Sequence, residues 1–352
     1  MEQQVDYIIV GQGICGTFLS YYLDKPGKKI LVIDANQPHT STKVASGVIN
    51  PVTGRRIVRT WMIEEVMPFA VEAYTQLGRE TDKQLVRQCN ILDFHPTAQM
   101  QLAFDERLPT EDYLRIPESA DYWRTYFNYP FAIGETNPCW LIDLHSLLDG
   151  WCNRLRERNC LLEQQFDHKQ LVLEKSKVRY QNITAEKIFF CDGAGGATNP
   201  FFHLLPFALN KGEAILAKIP GLPNSNIFKQ GLSIVPWKDD RFWIGSTYEW
   251  NFADANPSEG FRTKVETQLR QWLKLPFEIV DHWASVRPAN IERRPFVGLH
   301  PVHHTIGILN GMGTKGCSLA PFFAYQLSHH IIHGSPIHPN ADVKRFSGIL
   351  SK

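Results

Sequence analysis

The chain has 352 residues, of which 43% are hydrophobic, so it is long enough for two domains or for one large α/β unit. Its 37 basic and 36 acidic residues leave a net charge of +1 at pH 7, which gives no global reason to expect nucleic acid or a membrane surface as partner. The 7 cysteines are scattered without C-x-x-C spacing, which argues against a disulfide framework or a zinc site and favours the cytoplasm. The first predicted strand starts near Val5, which leaves no room for a signal peptide, and no run of about 18 apolar residues predicts a membrane span.

The N-terminus has the pattern of a βαβ unit. The apolar run Tyr7–Val10 predicts a buried parallel strand, and it leads directly into the G-x-G-x-x-G sequence of residues 11–16. A helical pattern follows, and then a second apolar strand, Lys29–Ile33, which ends in Asp34. Asp34 lies near the distance of about 20 residues at which an acid binds ribose hydroxyls in dinucleotide sites.

Each glycine of this motif has a physical role in that interpretation. Gly11 permits the tight turn, Gly13 lets the backbone approach a pyrophosphate, and Gly16 allows the helix to pack on the sheet. The helix N-terminus presents free N–H groups to the phosphates. The alternative is a βαβ unit that contributes only to the packing of the fold and binds no dinucleotide. An acid at position 34 disfavours NADP, but the motif alone does not choose between NAD and FAD.

The remaining segments predict further alternation of helix and sheet. Thr40–Arg56 is polar and turn-rich, and a helical region follows from about Thr60 to Leu77. Glu80–Pro138 mixes short apolar runs with proline and aromatic residues, which suggests sheet and loops. Leu144–Arg158 is an amphipathic helix, and Ile188–Asp192 ends a strand-like region.

Several short segments complete a pattern that covers nearly the whole chain. Beyond the glycine motif and Asp34, they are Thr42–Gly47, Phe190–Gly195, Gly212–Ala214, Trp243–Glu249, Arg287–Pro288 with Pro295–Gly298, and Asn310–Gly316. In this order they resemble the D-amino acid oxidase superfamily of flavoproteins. The glycine oxidase-like branch and the FAD domain of the bifunctional tRNA-modifying enzyme look nearest.

The resemblance implies an α/β fold with an α+β second domain, discontinuous in sequence. An FAD-binding Rossmann-like domain is expected from residues 1–60, 140–206 and 286–352. A mixed-sheet domain that caps the flavin and binds the substrate is expected from residues 61–139 and 207–285. The apolar runs near 188–192 and 305–310 agree with this, because they read as strands that could join the first sheet.

The resemblance also implies FAD as cofactor and a set of residues that hold it. These residues are Gly11, Gly13, Ile14, Gly16, Asp34, Ala35, Thr42, Ser46, Gly47, Gly193, Gly311, Gly313, Thr314, Lys315 and Gly316. Ser285 stands where covalent-flavin members carry a cysteine, so we expect non-covalent FAD. Lys315 either places positive charge beside the N1–C2 edge of the flavin or is a solvated turn residue.

For activity, the resemblance implies oxidation of the C–N bond of an amine or amino acid by hydride transfer to flavin N5. Arg287 matches the arginine that binds the substrate carboxylate, although a structural ion pair is the alternative. Ser233 and Thr314 replace a tyrosine and an arginine of related pockets, which leaves the exact substrate open. Trp243 stands where sarcosine oxidase-like members carry an oxygen-activating lysine, so the acceptor is oxygen or another molecule.

Three other functions stay open at this point. The basic cluster Arg55, Arg56 and Arg59 would suit a tRNA wobble-base side-chain oxidase, but a charged surface turn explains it as well, and nucleic acid is an unlikely partner. A flavin-binding protein without turnover and an NAD dehydrogenase are the others. The pairs His303-His304 and His329-His330 lack a third ligand at clear spacing, so no metal is expected.

Overall fold

The computed structural model describes residues 2–24, 27–54 and 56–351. The α-helices in chain order are α1 (Ile14–Asp24), α2 (Ser41–Val44), α3 (Ile63–Thr81), α4 (Ala98–Arg107), α5 (Leu144–Glu157), α6 (Glu259–Trp272), α7 (Gly316–His333) and α8 (Ser347–Leu350). Short 3₁₀ helices lie at Ala120–Thr125, His168–Gln170, Gly193–Thr198 and Val343–Phe346.

The strands in the first half of the chain are β1 (Gln3–Val10), β2 (Ile30–Asp34), β3 (Val48–Ile49), β4 (Val52–Thr53), β5 (Val58–Arg59), β6 (Val86–Gln88), β7 (Ile91–Phe94), β8 (Leu114–Arg115), β9 (Ile133–Thr136) and β10 (Trp140–Ile142). Those in the second half are β11 (Leu161–Glu163), β12 (Leu171–Leu173), β13 (Val178–Tyr180), β14 (Ile183–Phe190), β15 (Asn210–Lys218), β16 (Ile227–Gln230), β17 (Leu232–Pro236), β18 (Arg241–Gly245), β19 (Glu278–Arg287), β20 (Phe296–Leu299) and β21 (Ile306–Asn310).

The first sheet has eight strands built around a parallel centre. Its main path runs β11-β2-β1-β14-β13-β12, and β21 pairs with β14 and carries β20. The strands β11, β2, β1, β14 and β21 run parallel, so their carboxyl ends lie at one edge. The predicted joining of the strands near 188–192 and 305–310 to the first sheet is therefore confirmed.

Apolar side chains cover both faces of this sheet, as a parallel sheet requires. One face packs against α1, α3, α5 and α7 through fully buried residues such as Phe18, Tyr74 and Phe323. The other face is covered by the segments around Phe166, Phe202 and Val343. The Rossmann-like half of the predicted fold class is confirmed.

The second sheet also has eight strands, in the order β19-β15-β18-β17-β16-β7-β9-β8. It is mostly antiparallel, but β16 and β7 run parallel, so it is a mixed sheet as predicted. Helix α6 covers one face through Phe261, Val265, Leu269 and Trp272. The α/β class with an α+β second part is confirmed, while the residue boundaries of the two domains stay a prediction.

The two sheets meet where the loop after β2 reaches strand β18. Val44 and Leu141 pack with Trp243 in one buried cluster, and the Trp243 indole N–H donates to the Val44 carbonyl oxygen over 2.9 Å. A three-stranded sheet, β3-β10-β6, lies beside this contact. This junction places the residues predicted to hold the cofactor next to the second sheet.

Candidate functional site

The glycine turn between β1 and α1 contains two kinds of glycine. Gly11 has a φ of +98°, and a Cβ there would lie 2.5 Å from the Cys191 carbonyl oxygen. A Cβ on Gly16 would lie 1.8 Å from the Gly11 oxygen, so the chain's own packing demands both glycines. A Cβ on Gly13 would meet only the Thr42 hydroxyl, at 3.2 Å. The fold itself does not require glycine there, which fits a position kept open for a phosphate-bearing cofactor.

The acid at the end of β2 is oriented by this turn. One carboxylate oxygen of Asp34 accepts from the Gln12 backbone N–H and the other from the Asn36 N–H, each over 2.7 Å. Both oxygens keep lone pairs for further donors. Asp34 is half-buried, and Ala35 follows it in the chain. The geometry suits the predicted ribose contact.

The loop of residues 40–47 lies directly against the first helix. The Thr42 hydroxyl accepts the Ile14 backbone N–H over 3.2 Å, at the start of α1. Gly47 has a φ of +79°, and a Cβ there would lie 2.1 Å from the Ile142 carbonyl oxygen. Ser46 precedes it and is half-buried. The structure thus brings Thr42 to Gly13 and Ile14, although about thirty residues separate them in the sequence.

A third part of the site lies at the ends of β14 and β21. The Asn310 side-chain amide donates to the Asp192 carboxylate and to the Gly193 carbonyl, both over 2.9 Å. Burial raises the pKa of Asp192 to about 6, against the opposing effect of hydrogen bonds from Asn199 and Asn310. Neither Asp192 nor Asn310 is among the residues predicted to hold the cofactor, although both lie at the carboxyl ends of predicted parallel strands.

The glycine-rich turn before α7 closes the site from the C-terminal side. The Gly311 N–H donates to the Asn310 side chain over 2.7 Å. A Cβ on Gly316 would lie 3.5 Å from the Ile14 side chain, so this turn reaches the start of α1. Gly313 donates its N–H to the Pro288 carbonyl over 3.1 Å, and Thr314 is exposed.

Lys315 lies on this turn without a carboxylate partner. Its amine donates to the Asn50 side-chain oxygen over 3.1 Å, and it forms no ion pair in the part of the chain that the structure describes. Burial lowers the pKa of the Lys315 amine to about 8. An amine that is partly desolvated and has no counter-ion favours the interpretation that it faces an anionic group over that of a solvated turn residue.

Arg287, at the end of β19, is held by neutral groups only. Nη1 donates to the Asn210 side-chain oxygen over 2.7 Å and to the Thr247 carbonyl over 3.0 Å. Nη2 donates to the Ser246 hydroxyl over 2.9 Å, and the guanidinium lies 4.8 Å from the centre of the Tyr248 ring. No carboxylate pairs with it among residues 2–24, 27–54 and 56–351, so those residues give no support to the structural ion pair.

Gly212 is the glycine that makes room for this arginine. A Cβ there would lie 1.8 Å from Nη2 of Arg287. Burial lowers the pKa of Arg287, as expected for a cation that has lost part of its hydration. Because Pro288 bonds to Gly313, the arginine and the turn that carries Lys315 belong to one region.

Of the predicted basic cluster, Arg59 is not available as free positive charge. Arg59 pairs with Glu64, Glu111 and Asp112 over 2.9–3.1 Å. Arg56 is exposed, and Arg55 lies outside the described residues. Three carboxylates around Arg59 oppose the binding of a phosphate by this side chain.

Two other expectations concern metals and membranes. In the described part of the chain, no three His, Cys, Asp or Glu side chains are grouped as a metal site would need, and the cysteines are free. None of the helices seen in residues 2–24, 27–54 and 56–351 combines the length and apolar character of a membrane span.

Comparison with known proteins places this geometry in a family. The chain is 28% identical to the glycine oxidase of Pseudomonas aeruginosa over 145 residues, which span 40% of each chain. It is 22% identical to the glycine oxidase of Bacillus licheniformis over 360 residues, or 96% of this chain and 95% of that one. The crystal structure of glycine oxidase from Geobacillus kaustophilus superposes with a TM-score of 0.79 at 17% identity, and the match covers 98% of both chains.

A family model described as FAD dependent oxidoreductase matches residues 6–329. The predicted resemblance is therefore confirmed, and the cofactor of the family decides the choice between NAD and FAD that the glycine motif left open. The chain belongs to the D-amino acid oxidase (DAO) family of FAD-dependent oxidoreductases.

Proposed function

We propose that this protein oxidises the C–N bond of an amino acid or of an N-substituted amino acid, with FAD bound non-covalently. When bound, the flavin supplies the acceptor for the hydride that leaves the substrate carbon. The imine product is hydrolysed by water, and oxygen or another acceptor takes the electrons. The glycine oxidases among its relatives support an amino-acid substrate, although the similarity is too low to name it.

The observation that carries the proposal is the uncompensated charge of Arg287. A half-buried guanidinium without a carboxylate partner is unfavourable unless an anion joins it. Both Nη1 hydrogens and one Nη2 hydrogen are already used, whereas Nε and the second Nη2 hydrogen have no partner among the described residues. A substrate carboxylate can take these two remaining donors as a bidentate pair.

The neighbouring polar groups fit the same role. The Asn210 side chain is buried, its oxygen holds Arg287, and its Nδ2 makes no hydrogen bond within the described chain. Three neutral acceptors fix the guanidinium plane before any ligand arrives, so little conformational entropy is lost on binding. Arg287 thus anchors the carboxylate, and the substrate carbon is held relative to that anchor.

We assign the other predicted residues to the cofactor. The turn of residues 11–16 with Thr42 would hold the pyrophosphate, and Asp34 would hold the ribose. Lys315 and the turn of residues 311–316 would supply positive charge where negative charge develops on the reduced flavin ring. This assignment explains why Lys315 is partly desolvated without a carboxylate beside it.

A comparison of matched substrates tests the carboxylate requirement. Flavin-loaded protein is mixed anaerobically with glycine or methylamine, and with sarcosine or dimethylamine. We expect loss of the visible flavin absorbance only with the members that carry a carboxylate. Equal bleaching by both members of a pair would remove Arg287 from substrate binding. Bleaching by none of a wide amine panel would favour a flavoprotein without turnover or one that acts on a modified tRNA base.

A further inference from the structure

The segment that follows β18 carries two exposed aromatic side chains, one of which, Tyr248, lies beside Arg287. Tyr248 and Trp250 are 60% and 58% exposed, which is unusual for residues of this size. The base of the segment is fixed by a pair of backbone hydrogen bonds between Lys211 and Glu249, over 2.9 and 3.0 Å. Tyr248 and Trp250 therefore flank a residue whose backbone is hydrogen-bonded to strand β15.

One buried residue, Glu213, holds both ends of this segment, one through its carboxylate and the other through its backbone N–H. Glu213 is fully buried, and it accepts the N–H and the hydroxyl of Ser258 over 2.6 and 2.8 Å. Its own backbone N–H donates to the Thr247 hydroxyl over 2.9 Å. Burial alone would raise the pKa of Glu213, but the hydrogen bonds from Ser258 and the charges of Lys211 and His282 lower it. Residues 247 and 258 are thus tied to the same point of β15.

Tyr248 packs beside Arg287, the arginine that we assign to the substrate carboxylate. Its ring centre is 4.8 Å from the Arg287 guanidinium, a distance that permits a cation–π contact. Tyr248 is more than half exposed, so it contacts the guanidinium on one side and solvent on the other. A ligand on Arg287 therefore has an aromatic surface as a neighbour.

Residues just before Asn210 and just after Tyr248 line an open groove of about 740 Å³. It is lined by Ala208, Leu209, Trp250, Asn251, Phe252 and Ala253. Leu209 directly precedes Asn210, which holds Arg287, and Trp250 follows Tyr248 by two positions. Two of the lining residues are thus close in sequence to residues that contact Arg287, so the groove lies near the proposed carboxylate anchor. None of these six lining residues is charged, so a charged substituent placed there would gain no ionic partner from them.

We infer that the substrate is an amino acid with a bulky apolar substituent, whose carboxylate binds Arg287 and whose substituent lies in the groove beside Trp250. This inference rests on the proposed function and narrows it. A glycine-sized substrate would leave the groove empty and gain nothing from it. Burial of an aliphatic or aromatic group there adds binding energy that a charged or minimal substrate does not receive.

The test is a ratio of kcat/KM values from anaerobic flavin reduction. Phenylalanine and leucine in both enantiomers are compared with glycine and glutamate. We expect the best bulky apolar substrate to exceed glycine by at least about tenfold. Trp250→Ala should lower kcat/KM for that substrate by about tenfold or more, and leave glycine within about threefold.

Tyr122→Ala is the matched control, because Tyr122 is also an exposed aromatic residue, 51% accessible, on the 3₁₀ helix of residues 120–125. It should change neither value. Leu209→Ala carries the same expectation as Trp250→Ala, so the test survives if one variant fails to fold. Dissociation constants of 3-phenylpropanoate and acetate, from the perturbed flavin spectrum, give a reading that does not depend on turnover.

Two results would overturn the inference. One is an unchanged ratio in both variants, and the other is a preference for glycine or glutamate in the wild-type protein. If the enzyme is active, either result would be compatible with the proposed amino-acid oxidation and would reject only the binding of the substituent in the groove. Failure of every amino acid to reduce the flavin would instead remove the proposed function itself.

Discussion

Replacement of Arg287 by alanine tests the site at its most charged point. The variant removes a guanidinium that three neutral acceptors hold and that offers its last two donors to a ligand. Loss of one partner from a buried, hydrogen-bonded charge pair costs about 2–5 kcal/mol. Because Arg287 is only half-buried, we expect the lower end, about 2–3 kcal/mol, which is roughly 30- to 150-fold in kcat/KM.

The assay is anaerobic flavin reduction by the best amino acid, followed by stopped-flow absorbance. The alanine variant should keep its flavin, since Arg287 is not assigned to the cofactor. Arg287→Lys keeps the charge but not the bidentate geometry, so it should fall between the wild-type protein and the alanine variant. Arg270→Ala is the control, because Arg270 is another arginine over an aromatic ring, 5.6 Å from the centre of Phe277. A kcat/KM within about threefold of wild type for Arg287→Ala would refute the assignment.

Three further predictions concern the cofactor site. Gly13→Ala should fold normally, since its new Cβ meets only one hydroxyl at 3.2 Å. It should nevertheless weaken FAD binding by about 1–3 kcal/mol in a fluorescence titration. Gly260→Ala is the control and should keep the wild-type affinity, because its Cβ meets nothing within 4 Å. Asp34→Ala should raise the Kd for FAD by roughly 10- to 150-fold, the value of a hydrogen bond to a charged group, and an unchanged Kd would contradict the ribose contact. Lys315→Met should make the flavin-free protein more stable at pH 7, because the pKa of the lysine falls from its usual value to about 8 on folding. The charged lysine therefore destabilises the wild-type fold fully below about pH 8, and this destabilisation fades as the pH rises towards about 10.5. We expect about 1–2 kcal/mol after allowance for partial exposure, and urea titrations that give no stability difference at pH 7 would contradict it.

The βαβ unit could be predicted from the sequence because its signals are local. A strand, three glycines, a helix and a terminal acid follow one another within residues 7–34, and the structure has them at β1, α1 and β2. The amphipathic helix predicted at Leu144–Arg158 spans Leu144–Glu157 in the structure. Contacts at short sequence separation leave a periodic pattern that a single sequence reveals.

The residues around Arg287 that we propose as the substrate site could not be predicted, because they come from distant segments. Asn210 and Thr247 meet Arg287 across 77 and 40 positions. Asn310 reaches Asp192 across 118. The sequence shows each of these side chains as an isolated polar residue, and only the pairing of β15 with β19 and of β14 with β21 brings them together.

The basic cluster is a second case in which contacts between distant segments could not be predicted from the sequence. The sequence suggests that Arg59 is available for an anion, since two of its three acidic partners, Glu111 and Asp112, lie more than fifty residues away in the chain. Local charge runs indicate what is near in sequence and say nothing of charges that folding brings from elsewhere. The groove beside Trp250 was missed for a similar reason, because two separate segments line it.

The central claim is that an amino acid delivers electrons to FAD in this protein. The most direct test is the visible absorbance spectrum of the purified protein, recorded before and after anaerobic addition of a panel of amino acids. Our account predicts flavin bands that bleach with a carboxylate-bearing amine, and most readily with one that has a bulky apolar substituent. Flavin bands that no amine bleaches, or protein that cannot be loaded with FAD, would contradict it.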